Sequence, residues 1–258
     1  MHPCLSDPKI IVQPEQHREA YFEEDHKRWF ENPNLALFEN NLRRVPKNAS
    51  LVDVGCGRGD FLRCARKKRP DLRLTGVDLS PNVDDPDIHF IQGDILRIHV
   101  SERFDVVVSL AVIEHVAEVK AFVRAMQNLS RPQGTIIVMT LNDGSLLYTS
   151  ARAGRALGIT LAFNRLYSVH HLHHFTRQSF ARLLTDGGCK VLEHLDHNAP
   201  LQAMDIPVKS ALIDWALRVG LLALWAAGRA TKRSYLQTII CRVQNASHSQ
   251  QKFGRDEV

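Results

Sequence analysis

Leu51-Val-Asp-Val-Gly55-Cys-Gly57-Arg-Gly59-Asp-Phe-Leu62 is the stretch whose reading decides the fold of this 258-residue chain. An apolar run meets three glycines at alternate positions and passes into a segment of helical character. Glycine tolerates backbone angles that a side chain forbids and lets the chain pass close to a bound ligand. The stretch therefore reads as strand, cradle and helix. Taken alone this is a weak signal, because similar glycine strings occur by chance and in dinucleotide sites.

Three stretches downstream add to it. Leu72 to Val77 reads as a second strand ending in Asp78, about twenty residues past the turn, where a carboxylate can accept hydrogen bonds from ribose hydroxyls. Ile88 to Ile95 reads as a short strand that carries Asp94 to the same sheet edge. Phe104 to Leu110 is a continuous apolar run of the kind buried in a parallel sheet, and Ala111-Val-Ile-Glu114-His115-Val116 follows it.

Taken in order, Asp53 to Gly59, Gly76-Val-Asp78-Leu79-Ser, Gly93-Asp94-Ile95 and Ile113 to Val116 resemble the successive motifs of class I S-adenosylmethionine-dependent methyltransferases. The nearest branch is that of the ubiquinone-biosynthesis and small-molecule O-methyltransferases, and the resemblance covers about residues 35 to 198. It implies an α/β fold: a Rossmann-like, seven-stranded, mostly parallel sheet with an antiparallel last strand and helices on both faces. It also implies S-adenosyl-L-methionine as cofactor, and methyl transfer to a hydroxyl of a small-molecule, lipid or lipid-linked glycan acceptor. By the same resemblance Gly55, Cys56, Gly57 and Gly59 line the methionine and ribose part of the cofactor, and Asp53 supports the loop and the amino group. Asp78, with Leu79 beside it, takes the ribose hydroxyls. Asp94 accepts from the adenine amino group beside Ile95, and Ser109 and Leu110 run past the sulfonium.

The chain is long enough for one sizeable α/β domain with elaborations. Residues 1–45 read as an N-terminal helical or lid segment, and 46–198 as the cofactor-binding core with a substrate insertion at 142–175. An apolar helical insertion at 199–234, a last strand at 235–244 and a polar, disordered tail at 245–258 complete the division. In the first segment Asn32-Pro33 reads as a cap and first-turn proline before Leu35, Phe38 and Leu42. The aromatic and charged stretch Tyr21 to Phe30 reads either as a lid over the cofactor or as a helix packed on the domain edge.

Val119, Phe122, Val123 and Met126 form a helical apolar stripe. Pro132-Gln-Gly134 reads as a turn before a fifth strand at Thr135 to Leu141, and a helix is centred on Leu147, Ala151 and Leu157. Thr176 caps a helix that ends at Gly187-Gly188, with a strand at Lys190 to Leu195 beyond it. The last strand is Tyr235 to Val243.

No secretory core follows the polar start Met1 to Gln16, and the five scattered cysteines suit a reduced, cytoplasmic compartment. The net charge of +5 and isoelectric point near 9.0 are compatible with nucleic acid or an anionic membrane as partner. The plainer reading makes Arg63, Arg66, Lys67, Lys68 and Arg69 the solvated face and last turn of one helix. Ala211 to Gly228 is almost wholly apolar, yet it holds Asp214 and Arg218, four apart and able to pair. A charge near mid-bilayer is costly, which disfavours a spanning helix. Trp215, Trp225 and the basic trio Arg229, Lys232 and Arg233 suit peripheral membrane contact through 211–233. The competing reading packs this helix into the core or a dimer interface, and no motif fixes the oligomeric state.

A base for a hydroxyl acceptor is sought among histidines, whose ordinary pKa lies nearest working pH. His115 stands directly after the fourth strand. Four histidines crowd Ser168-Val-His170-His171-Leu-His173-His174, but neighbours on an extended segment point to opposite faces, which argues against one shared metal ion. The resemblance matches His171 and His174 to a histidine pair bordering the acceptor pocket in the family, where capping and packing roles compete. Relatives that hold a divalent metal use two glutamates and a histidine; here Glu114 and His115 match but Ala111 stands at the other glutamate position, so no metal is expected.

Two other functions compete. Methylation of a nucleic-acid base would use an Asn/Asp-Pro-Pro-aromatic loop after the fourth strand, which Ala111 to His115 lacks, so the basic balance alone supports that reading. A non-catalytic, cofactor-binding assembly partner would keep the fold, but the intact glycines and acidic positions argue against it.

Overall fold

A computed structural model describes residues 27–80, 85–168, 170–206, 208 and 210–244. The polar start Met1 to Gln16, the Tyr21 to His26 part of the aromatic stretch and the tail from Asn245 lie outside the described residues.

The strands are β1 (Ser50–Val54), β2 (Arg73–Asp78), β3 (His89–Gln92), β4 (Phe104–Leu110), β5 (Ser130–Leu141), β6 (Cys189–His197) and β7 (Leu236–Val243). They form one seven-stranded sheet in the order β3-β2-β1-β4-β5-β7-β6. The first five pair in parallel, and β7 runs antiparallel between β5 and β6. The sheet therefore matches the mostly parallel arrangement that the resemblance implies.

Successive side chains of a strand point to opposite faces, so each central strand feeds two cores. Val52, Val107, Ile136, Val138 and Ile239 join one buried cluster, whereas Leu51, Val106, Val108, Ile137 and Ile240 join the other. Phe122, Val123 and Met126 of α4 (Val119–Leu129) and Phe180 and Leu184 of α7 (Arg177–Asp186) cover the first face. Leu42 of α2 (Leu35–Leu42) and Phe61, Leu62 and Ala65 of α3 (Asp60–Lys68) cover the second. Thr176 caps α7 in a reciprocal box with Ser179, which satisfies donors that a helix start otherwise leaves unpaired.

Local signals give way to tertiary context at four places. Asn34, and not Asn32, caps α2, its side chain accepting from the Leu37 N–H at 3.2 Å; the Asn32 amide instead donates to the Arg28 carbonyl at 2.9 Å. Pro132-Gln-Gly134 is no turn between elements but an irregularity inside β5, with Gln133 at φ +64°. The stretch 142–169 holds two helices where one is expected: α5 (Leu146–Ala156) matches the helix centred on Leu147, Ala151 and Leu157, and α6 (Leu161–Leu166) follows it, with Leu157 80% exposed between them. Tyr235 precedes β7 instead of opening it.

The basic face of α3 is matched by nearby acids. Arg63 pairs with Asp60, Arg66 with Asp85 and Asp87, Lys68 with Glu39, and Arg69 with Asp71. The short helix α1 (Lys27–Glu31) and the long helix α8 (Ala211–Ala230) complete the described α-helices. By length and composition α8 is apolar enough to cross a membrane.

Candidate active site

In an open α/β sheet, ligands lie beyond the carboxyl ends of the strands where the strand order reverses. Here the reversal falls between β1 and β4, the strands that carry the glycine loop and the Glu114-His115 turn. A cavity of about 720 Å³ opens at that edge, within the range of about 300–1,000 Å³ common for small-molecule pockets.

The loop after β1 is built by hydrogen bonding to β2. The Gly55 N–H donates to the Val77 carbonyl at 2.7 Å and the Gly57 N–H to Asp78 Oδ2 at 2.8 Å. Gly55 has φ +76°, and a Cβ there would stand 2.4 Å from Val112, so the loops after β1 and β4 touch at this point. At Gly57, φ is +53° and an added Cβ would meet nothing within 4 Å, leaving a cradle open to the cavity. Ala111, just after β4, holds φ +58°, a strained conformation for a residue with a Cβ and of the kind that clusters at functional sites.

Three carboxylates of the expected cofactor set line the cavity: Asp53, Asp78 and Asp94. Asp53 is 3% exposed and its Oδ1 has no hydrogen-bond partner. Burial, reinforced by the nearby Asp78 charge, pushes its carboxyl up to about 8. A buried carboxylate in this state fits a cationic ligand group, which would supply the missing donor and favour ionisation. Asp78 is aimed by its own contacts, since Oδ1 accepts from the Ser80 N–H at 2.9 Å while Oδ2 holds the loop. Asp94 Oδ1 accepts from the Leu96 N–H at 2.9 Å and Oδ2 faces Arg97.

Gly55, Cys56, Gly57, Leu79, Ile95 and Leu110 also border the cavity. Burial raises the pKa of the Cys56 thiol, so it stays protonated and is no nucleophile. Two expected cofactor residues stand elsewhere. Ser109 is fully buried and donates to the Val54 carbonyl at 3.0 Å, so it ties β4 to β1 behind the wall that Leu110 forms. Gly59 occupies the N-cap of α3 and is not on the wall.

The histidine segment is pinned against the turn after β4. His115 Nδ1 donates to the His170 carbonyl at 2.7 Å, and the His173 N–H donates to the Glu114 carbonyl at 3.1 Å. A carbonyl can only accept, so Nδ1 of His115 carries the hydrogen and a neutral ring keeps its lone pair on Nε2. The same holds for His171, whose Nδ1 lies 3.3 Å from the Leu166 carbonyl. The two rings sit 5.0 Å apart, and both residues line the cavity. His174 does not. It stands behind His171 against Tyr148 and Tyr167, where burial lowers its pKa. Glu114 is 1% exposed, accepts from the Thr140 hydroxyl at 2.9 Å, and has its pKa raised by burial. Among the described residues no group of three His, Cys, Asp or Glu side chains is placed to hold a metal ion.

Sequence motifs do not single out Phe38, Met139 or Tyr235, which also line the cavity. Trp29 and Phe30 of α1 lie on the same wall, and the Phe30 carbonyl accepts from the Arg58 guanidinium of the glycine loop at 3.4 Å.

Asp53 gives a pH prediction. Its folded pKa of about 8 stands above the ordinary 3.8. The folded state therefore holds a proton that the unfolded chain releases, a contribution complete below about pH 4 and lost as pH rises through about 8. Without ligand, the melting temperature should fall from about pH 5.5 to about pH 8.5 more steeply for the native chain than for Asp53→Asn. Parallel pH profiles for the two in thermal melts would refute the assignment.

The chain belongs to the methyltransferase-domain family, whose model matches residues 17–194. It is similar to the ubiquinone biosynthesis O-methyltransferase of Bartonella tribocorum, 33% identical over 106 residues that cover 37% of this chain and 42% of that protein. The Brucella anthropi protein of the same name is 33% identical over 125 residues, 44% of this chain and 50% of that one. The chain thus spans about half the length, or less, of the curated relatives it matches. Among solved structures, phosphoethanolamine N-methyltransferase 2 of Haemonchus contortus, in complex with S-adenosyl-L-methionine, aligns with a TM-score of 0.58 at 14% identity, over 88% of this chain and 60% of that one. Burkholderia thailandensis 1,6-didemethyltoxoflavin-N1-methyltransferase aligns at 0.52 with 15% identity, over 89% and 84%. At these identities the structural likeness shows a shared fold.

Proposed function

We propose that the protein transfers a methyl group from S-adenosyl-L-methionine to a hydroxyl of a small-molecule or lipid-like acceptor. The observation that carries this reading is a single cavity lined both by the Asp53, Gly57, Asp78 and Asp94 set and by His115 and His171. The bound cofactor supplies an already activated methyl group, so the chain has only to hold, align and deprotonate. Asp53 would receive the amino group, Asp78 the ribose hydroxyls and Asp94 the adenine amino group, with Leu79 and Ile95 alongside. His115 or His171 would take the hydroxyl proton at Nε2, and His174 would steady His171 from behind. The O-methyltransferase names of the relatives support oxygen as the acceptor atom, and the apolar wall of Trp29, Phe30, Phe38 and Met139 supports an acceptor with an apolar body.

Untargeted mass spectrometry of lipid and polar extracts, with native protein and with an Asp78→Ala control, tests this directly. The expected result is a compound gaining one methyl in place of hydrogen only with the native chain and cofactor. Cofactor binding by calorimetry with no methylated product in either extract would instead leave an assembly partner.

A further inference from the structure

Helix α8 is turned the wrong way for a helix in water. Its half-buried seam, Asp214, Arg218, Leu221, Leu224, Trp225 and the buried Gly228, follows the helical repeat and faces the domain. The only charges between Ala211 and Gly228 belong to that seam: Arg218 Nε donates to Asp214 Oδ2 at 2.8 Å and its NH1 to the Leu201 carbonyl at 2.6 Å. The outward face is left wholly apolar, with Leu212 75%, Trp215 63% and Leu222 52% exposed beside Ile213, Leu217 and Val219. A surface helix in water shows the reverse polarity.

We propose that the outward face of α8 lies flat in the headgroup layer of an anionic membrane. Charge supports lipid as the occupant. Residues 199–234 carry five basic residues, Lys209, Arg218, Arg229, Lys232 and Arg233, against two acidic ones, Asp205 and Asp214. Arg229 and Lys232 are exposed at the C-terminal end of the helix, within reach of anionic headgroups. The helix lies in the plane and does not span, because it is fastened to the domain along its length. Besides Arg218, Trp225 Nε1 donates to the Ala199 carbonyl at 2.9 Å, and the Asn198 amide donates to the Trp225 carbonyl at 3.2 Å.

The inner side of the helix reaches the candidate site. Trp225 stacks on Tyr235 at 5.8 Å, and α8 packs on the turn Leu201–Ala203; Tyr235 and Ala203 both line the cavity. On the methyl-transfer reading, the membrane is then the store of an amphiphilic acceptor. The docking itself does not depend on that reading.

The test is flotation of the full chain with vesicles of phosphatidylcholine alone and of phosphatidylcholine mixed with phosphatidylglycerol. The native protein should rise with the anionic vesicles and stay behind with the neutral ones. Trp215→Asp combined with Leu222→Asp should lower the bound fraction about tenfold or more while the melting temperature holds, because both side chains are exposed in the native chain. Should that variant unfold, brominated lipid in the anionic vesicles should quench native tryptophan fluorescence, and Trp215→Phe should abolish the quenching. Native protein that fails to float, a folded double variant that floats equally, or native fluorescence untouched by the brominated lipid overturns the proposal. So does a dimer that the double change converts to monomers, which would make a second copy the occupant. Flotation uses neither cofactor nor acceptor, so its failure leaves the methyl-transfer reading standing, and a failure of methyl transfer leaves the docking intact.

Discussion

Asp78→Ala is expected to weaken S-adenosylmethionine binding at least about tenfold, because a hydrogen bond to a charged group is worth about 1.5–3 kcal/mol and the ribose diol would lose two. The loss should exceed that of an exposed carboxylate, since Asp78 also shapes the cradle through the Gly57 N–H at 2.8 Å and the Ser80 N–H at 2.9 Å. Asp78→Asn keeps an acceptor oxygen at the same place and should fall between. Titration calorimetry measures the effect, and thermal melts separate it from unfolding. An Asp78→Ala protein that stays folded and binds S-adenosylmethionine with native affinity would remove the cofactor reading. A second calorimetric result follows from Asp53, whose carboxyl lies at about 8. At about pH 7 a cation arriving there should expel a proton, so the apparent binding heat should change with the ionisation heat of the buffer.

The sheet was legible because its central strands are buried on both faces and read as unbroken apolar runs. Val106, Val107 and Val108 sit side by side in the sequence, and the pleat deals them to opposite cores. The cradle was legible for a different reason: at Gly55 both the left-handed backbone and the contact with Val112 demand glycine. Where two neighbouring residues can do the same local task, the choice was made by distant contacts. Asn32 and Asn34 flank Pro33, and Asn34 becomes the cap while the Asn32 amide turns to Arg28. Pro132-Gln-Gly134 carries a turn signal that the β4–β5 pairing absorbs as an irregularity. The orientation of α8 was the least legible feature. A hydrophobic stripe announces which side is apolar, but only the fold reveals that Asp214 and Arg218 face the protein. The two tryptophans that looked alike in sequence divide accordingly, Trp225 inward and Trp215 outward. Ser109 and Leu110 divide in the same manner, by the alternation of a strand.

Among the histidines, substitution should separate residues that reach the acceptor from one that works through a neighbour. His115→Ala or His171→Ala, whichever removes the true base, should lower turnover by about 10²–10⁴-fold, the usual contribution of a positioned proton acceptor. Cofactor affinity should remain nearly native, because neither ring belongs to the carboxylate set. His174→Ala should act more weakly, since that ring lies behind His171 with centroids 6.1 Å apart and does not border the cavity. As a positioning residue it should shift the acceptor's KM or the pH profile, and an aromatic replacement such as His174→Phe should restore much of the loss. His115→Asn supplies a further comparison: its amide can still donate to the His170 carbonyl, now 2.7 Å from Nδ1, but it cannot take up a proton near neutral pH. Turnover lost in His115→Asn as fully as in His115→Ala identifies His115 as the base. Turnover kept in His115→Asn but lost in His171→Ala moves that role to His171. Near-native turnover in all three alanine variants would mean that the hydroxyl proton leaves by a route that uses none of these rings.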